Sequence, residues 1–328
     1  MLCAGTYRRI IIMRETMRRG PVALARVASF SLTIALLAMG SASEARAKSD
    51  PLLRPIEPVA ASRWLVKQPP LHVYGNTYLV GFGGLNVGLI KTRAGLILID
   101  GALPQGVKAI EANVKALGFR VGDIRYILST EPHFDHASGI GALARDSGAI
   151  VIAGKAAVRA LETGRPSADD PQYGYHMTYH GIGPVRGVED GAQIRLGGLT
   201  VTALATPGHT PGSTSWSWQS CEQGDCKTVV FASSLNPISA DGYRFTDSTH
   251  QTLADGFRRS IAKLRATPCD ILISAHPDQS GGDRKAAELR AGVEPNPFID
   301  ADACRAYAAQ FERLFDRRIA DEKAGRIK

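Results

Sequence analysis

The chain has 328 residues, of which 44% are hydrophobic and 34 are glycines, a composition that excludes a disordered protein. Its formal charge of +8 would suggest a nucleic-acid binder if the charge were spread evenly. However, residues 1–47 hold seven arginines against two glutamates, and the remaining residues carry 32 basic and 29 acidic side chains, a net charge of +3. This near neutrality argues against a nucleic-acid partner.

The first 47 residues have the pattern of a signal peptide. A basic stretch ends at Arg26, an apolar run covers residues 27–39, and Ala45-Arg46-Ala47 forms an A-x-A cleavage pattern. The apolar run is shorter than the roughly 20 residues that span a bilayer. The pattern favours a peptide removed after Ala47 over a retained anchor. It predicts that residues 48–328 form a single exported domain in the periplasm, without stable membrane anchoring.

The elements that follow alternate between strands and helices. Four short runs with β character, separated by turn residues, predict an antiparallel meander over residues 71–74, 77–81, 86–92 and 95–100. Next come a helix (107–117), a buried strand (124–128), a helix (137–146), a strand (149–153) and a helix (156–162). Such alternation predicts a sheet covered by helices.

Residues 164–187 are rich in Gly, Pro, Asp and Tyr and form an unusually long connection. Loops of this length are often functional. His176 and His180 lie here at i, i+4 spacing, which a pair of metal ligands on a helix would show. Because the segment has no apolar helical face, we expect loop histidines and not ligands.

The second half of the chain repeats the strand-then-helix order. Strands are predicted over residues 193–196, 200–205, 213–219, 227–232 and 271–274, and helices over residues 253–266 and 303–320. No domain linker, repeat or low-complexity tract interrupts the chain. The two similar halves predict an α/β protein of the αβ/βα sandwich type, with two β-sheets flanked by helices.

Export would place the remaining cysteines in an oxidising compartment. Removal of the leader discards Cys3 and leaves four cysteines, an even number that favours disulfide bonds. Cys221 and Cys226 flank a polar turn and could bridge a hairpin, in which case Cys269 and Cys304 would close a longer loop. Free buried thiols or a zinc site are the alternatives, although the sequence has no C-x-x-C pair.

Potential metal ligands are densest in the stretch Glu131-Pro132-His133-Phe134-Asp135-His136, directly after a predicted strand. Imidazole nitrogens and carboxylate oxygens are the ligands of reactive zinc, which keeps one position open for water. His209 lies in a turn rich in proline and glycine, and His276 follows another strand. A lone histidine is more often structural, but together at equivalent strand ends these residues indicate one assembled metal site.

This pattern resembles the motif of the metallo-β-lactamase superfamily, H-x-H-x-D-H followed by two further histidines. Here it stands as Glu131-x-His133-x-Asp135-His136, then His209 and His276. The resemblance covers most of residues 48–328. Within the superfamily, TPGHTPGSTSW (206–216) and PCDILISAHP (268–277) are most similar to subclass B3 β-lactamases, exported zinc enzymes that hydrolyse penicillins, cephalosporins and carbapenems.

The B3 resemblance has further implications for individual residues. It supports the pairs Cys269–Cys304 and Cys221–Cys226, and it implies that Ser234 helps to bind the substrate carboxylate. Asn236 stands where a serine is common and could still donate a hydrogen bond. Members of the glyoxalase II and lactonase types place a metal-bridging aspartate at this strand exit, where this chain has Ser233 and Ser234.

The resemblance implies two zinc ions, the first held by Glu131, His133 and His209 and the second by Asp135, His136 and His276. A hydroxide shared by the metals would attack the β-lactam carbonyl, and Asp135 would orient it as the catalytic residue. Glu131 departs from the usual histidine and lowers the formal charge of the site by one unit, which predicts a less electrophilic first metal and altered zinc occupancy. Alternatively, Glu131 lies behind the ligands and the first site binds metal weakly.

The sequence thus predicts a monomeric, exported zinc β-lactamase that acts on small-molecule β-lactams, including carbapenems, and confers antibiotic resistance. The alternatives are another hydrolase of this fold, of lactonase or thioesterase type, and a non-catalytic exported metal-binding protein. A serine mechanism is disfavoured. The S-x-x-K match at Ser260-Ile261-Ala262-Lys263 lies in a charged helical segment without S-D-N or K-T-G companions.

Overall fold

A computed structural model describes residues 50–327, so the predicted signal peptide lies outside the described residues. The strands are β1 Leu71–Tyr74, β2 Thr77–Leu79, β3 Gly88–Thr92, β4 Gly95–Ile99, β5 Ile124–Leu128, β6 Ile150–Gly154, β7 Val185–Val188, β8 Gln193–Leu196, β9 Leu199–Ala205, β10 Thr214–Glu222, β11 Asp225–Ala232 and β12 Ile271–Ser274. The helices are α1 Ala61–Trp64, α2 Val107–Ala116, α3 Phe134–Ala137, α4 Ile140–Ser147, α5 Val158–Thr163, α6 Gln251–Ala266, α7 Gly282–Arg290 and α8 Ala303–Lys323.

The strands form two sheets. The first has seven strands in sequence order, β1 to β7, and the second has five in the order β12-β11-β10-β9-β8. Strands β1 to β4 pair antiparallel, as the meander prediction required, and β4 to β7 pair parallel. In the second sheet only β11 and β12 run parallel.

Side chains of the central strands alternate between two buried layers. In β4, Leu96 and Leu98 belong to the cluster on the helix side, whereas Ile97 and Ile99 belong to the cluster between the two sheets. Successive residues of a strand point to opposite faces, so a strand buried on both sides must be apolar throughout. This requirement explains the continuous run of apolar residues that the sequence shows there.

Helices cover the outer face of each sheet. Apolar residues of α2, α4 and α5 pack on the first sheet. On the second sheet, Phe257 of α6 and Phe315 of α8 stack with ring centroids 4.5 Å apart. Between the sheets lie Trp216 and Phe231, both fully buried. The αβ/βα sandwich with two sheets flanked by helices is therefore confirmed.

Three elements differ from the predictions. Strand β7 overlaps the end of the segment 164–187, which is predicted as a long loop; at the edge of the sheet its sequence Val-Arg-Gly-Val is mostly exposed and gives no strand pattern. Helix α7 was not predicted, since its sequence is polar and lacks an apolar stripe. The helix predicted over residues 137–146 begins at Ile140 as α4, and a separate short helix, α3, ends at Ala137; the two are separated near Gly139, whose added Cβ would lie 2.1 Å from the carbonyl oxygen of Gly101.

Both expected disulfide bonds are present. Cys221 and Cys226 lie directly opposite each other on β10 and β11, so their bond closes the hairpin. Cys269 precedes β12 and is bonded to Cys304 of α8, which ties that helix to the second sheet. A search of the described residues finds no helix with the length and apolar character needed to cross a membrane.

Candidate metal centre

The predicted ligands from the first half of the chain follow β5. Glu131 is fully buried in the segment between β5 and α3. His133 has an extended backbone (φ −67°, ψ 148°) immediately before α3, which carries Asp135 and His136. The change from strand to helix within a few residues turns all four side chains towards one point.

The remaining histidines come from the second sheet. His209 lies in the turn between β9 and β10, and His276 follows β12. The turn at His209 packs tightly on α6, because Gly208 has a φ of +147° and an added Cβ would lie 2.5 Å from the ring of Phe257. Only glycine suits this position.

The structure brings all six predicted ligands into two adjacent groups. The first group is Glu131, His133 and His209, and the second group is Asp135, His136 and His276. Within each group, the candidate ligand atoms lie within 4.8 Å of one another. His133 Nδ1 is 3.2 Å from His209 Nε2, and His136 Nε2 is 3.1 Å from His276 Nε2.

Two of the histidines have their outer nitrogen bonded to a backbone carbonyl. His209 Nδ1 donates to the carbonyl oxygen of Asn236 at 2.7 Å, and His276 Nδ1 donates to that of Gly84 at 3.2 Å. Since a carbonyl can only accept, the proton of each neutral ring lies on Nδ1. The lone pair on Nε2 therefore points into the site.

The other two histidines pair with carboxylates. Both oxygens of Asp170 are 3.1 Å from His133 Nε2, and Asp100 Oδ2 is 3.5 Å from His136 Nδ1. Metal-ligating histidines characteristically donate their outer nitrogen to a carbonyl or carboxylate, which fixes the ring and its tautomer. Four inner nitrogens and two carboxylates that converge in this way fit a transition metal such as zinc, which takes mixed nitrogen and oxygen ligands.

The charges at the site compensate one another. Burial would raise the pKa of Glu131, but the imidazoles of His136 and His209 lower it to about 2. Burial would lower the pKa of His133, but Asp170 and Glu131 raise it to about 9. The pKa of Asp135 is lowered in the same way, chiefly by His136. Both carboxylates of the site are therefore anionic at neutral pH.

Asp100 supports the site from the end of β4. Its Oδ1 accepts from the backbone N–H of Thr130 at 2.7 Å, and its Oδ2 accepts from the Thr130 hydroxyl at 2.6 Å. Its φ of +66° is rare for a residue other than glycine, and such strain concentrates at functional sites. Asp100 thereby fixes both the segment after β5 and the ring of His136.

Other residues that the sequence singled out take different places. Ser234 is fully buried and donates to Glu131, and Asn236 lines the cleft in front of the ligands. His176 and His180 are exposed on the loop and belong to neither group. Ser260 is buried on α6 and donates to the carbonyl oxygen of Pro207 at 2.7 Å.

Sequence reasoning did not identify Asp170 or Gly84 as partners of the ligands. Gly84 contributes only a backbone carbonyl, so its side chain could give no indication. Asp170 lies in the long loop over residues 164–187, and the length of that loop was the only indication of a role. Its pairing with His133 depends on tertiary contacts that no local pattern encodes.

An open cleft of about 810 Å³ lies in front of the two groups. His133, Asp135, His209 and His276 form its floor. Its walls come from the segment around α1, from the long loop and from the segment after β11, and they include Arg63, Trp64, Tyr175, Met177, Asn236 and Ile238. A cleft of this size holds a small organic molecule.

The fold and the paired ligand groups define a metal-dependent hydrolase. A family model described as the metallo-beta-lactamase superfamily matches residues 80–222. Solved structures of this superfamily match almost over their full length, at identities of up to 48%. The chain therefore belongs to the metallo-β-lactamase superfamily.

Within the superfamily, the chain is similar to subclass B3 enzymes. One is described as the first B3 metallo-β-lactamase with an active-site glutamic acid; it is 48% identical, with 84% of this chain and 99% of that chain covered and a TM-score of 0.78. Another is MEM-A1, a subclass B3 enzyme from a soil metagenome library, which is 40% identical with 80% and 99% coverage and a TM-score of 0.77. The predicted resemblance is confirmed.

More distant similarity extends to other activities. A hydroxyacylglutathione hydrolase of Anaeromyxobacter dehalogenans is 27% identical over 69% of this chain and 82% of its own length. Ribonuclease TTHA0252 of Thermus thermophilus is 29% identical over 52% of this chain, which spans only 37% of the ribonuclease.

Proposed function

We propose that the protein is an exported, zinc-dependent β-lactamase that hydrolyses the amide bond of β-lactam antibiotics, carbapenems included, and so confers resistance. The observation that carries this proposal is the complete set of six ligands, with glutamate in the first position, in a chain 48% identical to a B3 enzyme with an active-site glutamic acid. The cleft in front of the ligands has room for a bicyclic antibiotic.

The two groups would hold one zinc ion each. Bound zinc polarises a carbonyl and lowers the pKa of its water to about 7, so no serine or cysteine nucleophile is required. Asp135 meets His136 and His276 through Oδ2, at 3.5 and 3.3 Å. Its Oδ1 is then available to accept a hydrogen bond from the attacking water and to orient it. This is the catalytic role that we assign to Asp135.

The side chains at the cleft wall would position the substrate carboxylate. Asn236 and Arg63 line the cleft, and neither side chain has a hydrogen-bond partner among residues 50–327. The B3 resemblance implies that Ser234 is a further substrate contact, but Ser234 is fully buried and its hydroxyl donates to Glu131 Oε1 at 3.1 Å, so Asn236 and Arg63 carry this part of the proposal. We expect Arg63→Ala to raise KM about tenfold with little change in kcat, since it removes a charge that attracts the carboxylate.

Export completes the proposal. Cleavage after Ala47 would release residues 48–328 as one monomeric domain into the periplasm, where β-lactams meet their targets. Two disulfide bonds support an oxidising compartment. Amino-terminal sequencing of the protein recovered from a periplasmic fraction, together with its mass in solution, tests cleavage, location and oligomeric state.

The activity itself is tested on purified residues 48–328. We expect chelator-sensitive hydrolysis of a carbapenem, a penicillin and a cephalosporin, restored by added Zn²⁺. Protein that carries its full zinc content and hydrolyses none of the three would contradict the proposal. A parallel assay with a hydroxyacylglutathione thioester tests the thioesterase alternative. The serines at positions 233 and 234 already disfavour that alternative.

A further inference from the structure

The carboxylate of Glu131 is held by two consecutive serines at the exit of β11. Ser233 Oγ donates to Glu131 Oε2 at 2.7 Å, and the backbone N–H of Ser234 donates to the same oxygen at 3.1 Å. Ser234 Oγ donates to Oε1 at 3.1 Å. All three residues are fully buried, so these hydrogen bonds do not compete with bulk water.

The two oxygens of Glu131 have different surroundings. Oε1 faces the imidazoles, at 3.1 Å from His136 Nε2, 3.6 Å from His209 Nε2 and 3.9 Å from His133 Nδ1. Oε2 points to the strand exit, where Ser233 and Ser234 supply its two donors. Oε1, which also accepts from the Ser234 hydroxyl, is therefore directed at the ligand groups, whereas Oε2 is directed at the strand exit.

Ser233 is itself fixed from behind. Its N–H donates to Ser215 Oγ at 3.1 Å, which lies 3.0 Å from the Thr206 hydroxyl, and its carbonyl accepts from the hydroxyl of Tyr307 at 3.3 Å. These contacts join β9, β10, β11 and α8 around one residue. The backbone of Ser233 is therefore fixed on both sides, which places its hydroxyl next to Glu131.

We propose that Ser233 and Ser234 orient Glu131 so that it binds the first metal through Oε1 alone, which makes Ser233 a positioning residue for that metal. The inference rests on the metal dependence in the proposed function but not on the substrate. According to this inference, the paired serines supply the hydrogen-bond donors that a buried glutamate needs in the first group. A histidine at position 131 would offer the serine donors no anionic oxygen.

The same geometry explains why an amide would not replace the carboxylate. In Glu131→Gln, either the amide nitrogen faces the N–H of Ser234, which can only donate, or it faces the metal, which needs an electron pair. Rotation of the side chain exchanges one conflict for the other. Glutamine is isosteric with glutamate, so any loss of metal in this variant reports on hydrogen bonding and not on shape.

The experiment compares Ser233→Ala with Ser220→Ala, which removes another fully buried hydroxyl near the far end of β10. Zn²⁺ affinities of both groups are measured by chelator competition, and the visible absorption of Co²⁺-loaded protein reports the coordination geometry. We expect Ser233→Ala to weaken the first group about 10- to 100-fold, to alter its Co²⁺ spectrum and to leave the second group unchanged. Ser220→Ala should change neither.

Glu131→Gln, measured in the same way, should lose at least as much affinity at the first group as Ser233→Ala. Wild-type affinity and an unchanged spectrum in Ser233→Ala would overturn the inference, and so would full zinc binding by Glu131→Gln. Hydrolysis is assayed separately. If the wild type fails to hydrolyse β-lactams while Ser233→Ala still weakens the first group, the proposed substrate is wrong and the role of Ser233 stands.

Discussion

The two ligand groups differ in how their carboxylates are held. Glu131 of the first group is fully buried and accepts three hydrogen bonds from Ser233 and Ser234. Asp135 of the second group is 6% exposed at the cleft, and its polar side-chain partners among the described residues are His136 and His276. The first carboxylate is part of the protein interior, whereas the second depends on the ligands around it.

This difference shows why the first group can accommodate a glutamate in place of the usual histidine. An anionic side chain in a buried position requires donors and opposite charges around it, and the first group supplies both. The second group faces solvent through His276, whose side chain is 14% exposed. We therefore expect Glu131 to contribute to folding as well as to metal binding, and Asp135 to contribute chiefly to metal binding and catalysis.

The largest effect should come from removing each carboxylate. In Glu131→Ala, three donors and the neighbouring imidazoles lose their partner, so the free energy of unfolding of the metal-free protein should fall by about 3–5 kcal/mol. Zinc content should fall from about two ions to about one. Asp135→Ala should abolish hydrolysis but lower the unfolding free energy much less. Urea denaturation measures the unfolding free energy of each variant, and metal analysis measures its zinc content. Unchanged zinc in Glu131→Ala would exclude Glu131 as a ligand.

The two disulfide bonds differ in the length of chain that they close, and Cys269–Cys304 lies just before β12, the strand that His276 follows. It closes a loop with a sequence separation of 35 residues, and its replacement by two serines should lower the unfolding free energy by about 4 kcal/mol. The Cys221–Cys226 loop has a separation of only 5, so the matched double serine variant should lose about 2 kcal/mol. Equal losses would show that the length of the closed loop does not determine how much each bond contributes to the free energy of unfolding.

Asp170 offers a way to disturb the first group alone. Asp170→Asn weakens the hold on His133 Nε2 and should lower zinc affinity at the first group about 10- to 100-fold, with the second group unchanged. Asp169→Asn, an exposed neighbour, is the control and should match the wild type. Chelator competition distinguishes the two ligand groups, and an equal loss at both would show that Asp170 does not act on the first group alone.

The smallest effect is a pH dependence of the metal-free protein. The pKa of Glu131 is lowered from 4.5 to about 2, so its contribution to stability is complete above pH 4.5 and is lost as the pH falls towards 2. The pKa values of His133 and His136 are raised from 6.5 to about 9 and about 10, so their contribution is complete below pH 6.5 and is lost as the pH rises through those values.

Urea denaturation of the metal-free protein should therefore show its maximum between pH 4.5 and 6.5. Zinc requires neutral imidazoles, so the stabilisation that zinc adds should increase with pH. A metal-free protein that is most stable above pH 8 would show that the histidine–carboxylate contacts do not stabilise the fold.

Much of the fold could be predicted because its information is local. The apolar runs of β3 to β6 and the glycines after the helices mark elements directly. Strand β7 and helix α7 could not be predicted, since each is stabilised by its neighbours and has a polar sequence of its own.

The ligands could be predicted because zinc chemistry restricts their residue types and because they follow strands. The residues that hold the ligands in place could not be predicted from the sequence. Asp170, Ser233 and the carbonyl of Gly84 act through contacts between residues far apart in the chain. In the sequence the two serines stand where related hydrolases have an aspartate, and their bonds to Glu131 depend on the packing of the two sheets, which brings the segments after β5 and β11 together.

The long loop that carries Asp170 joins the cleft wall to the metal centre. Tyr179 of this loop donates to the carbonyl oxygen of Pro132 at 2.9 Å, and Tyr175 donates to that of Ser239 at 2.7 Å. Because Asp170 of the same loop pairs with His133, we expect loop position and metal affinity at the first group to be thermodynamically linked, and such linkage is reciprocal. A bulky inhibitor that displaces the loop should weaken zinc at the first group, and a chelator that removes that zinc should loosen the cleft for every antibiotic that binds there.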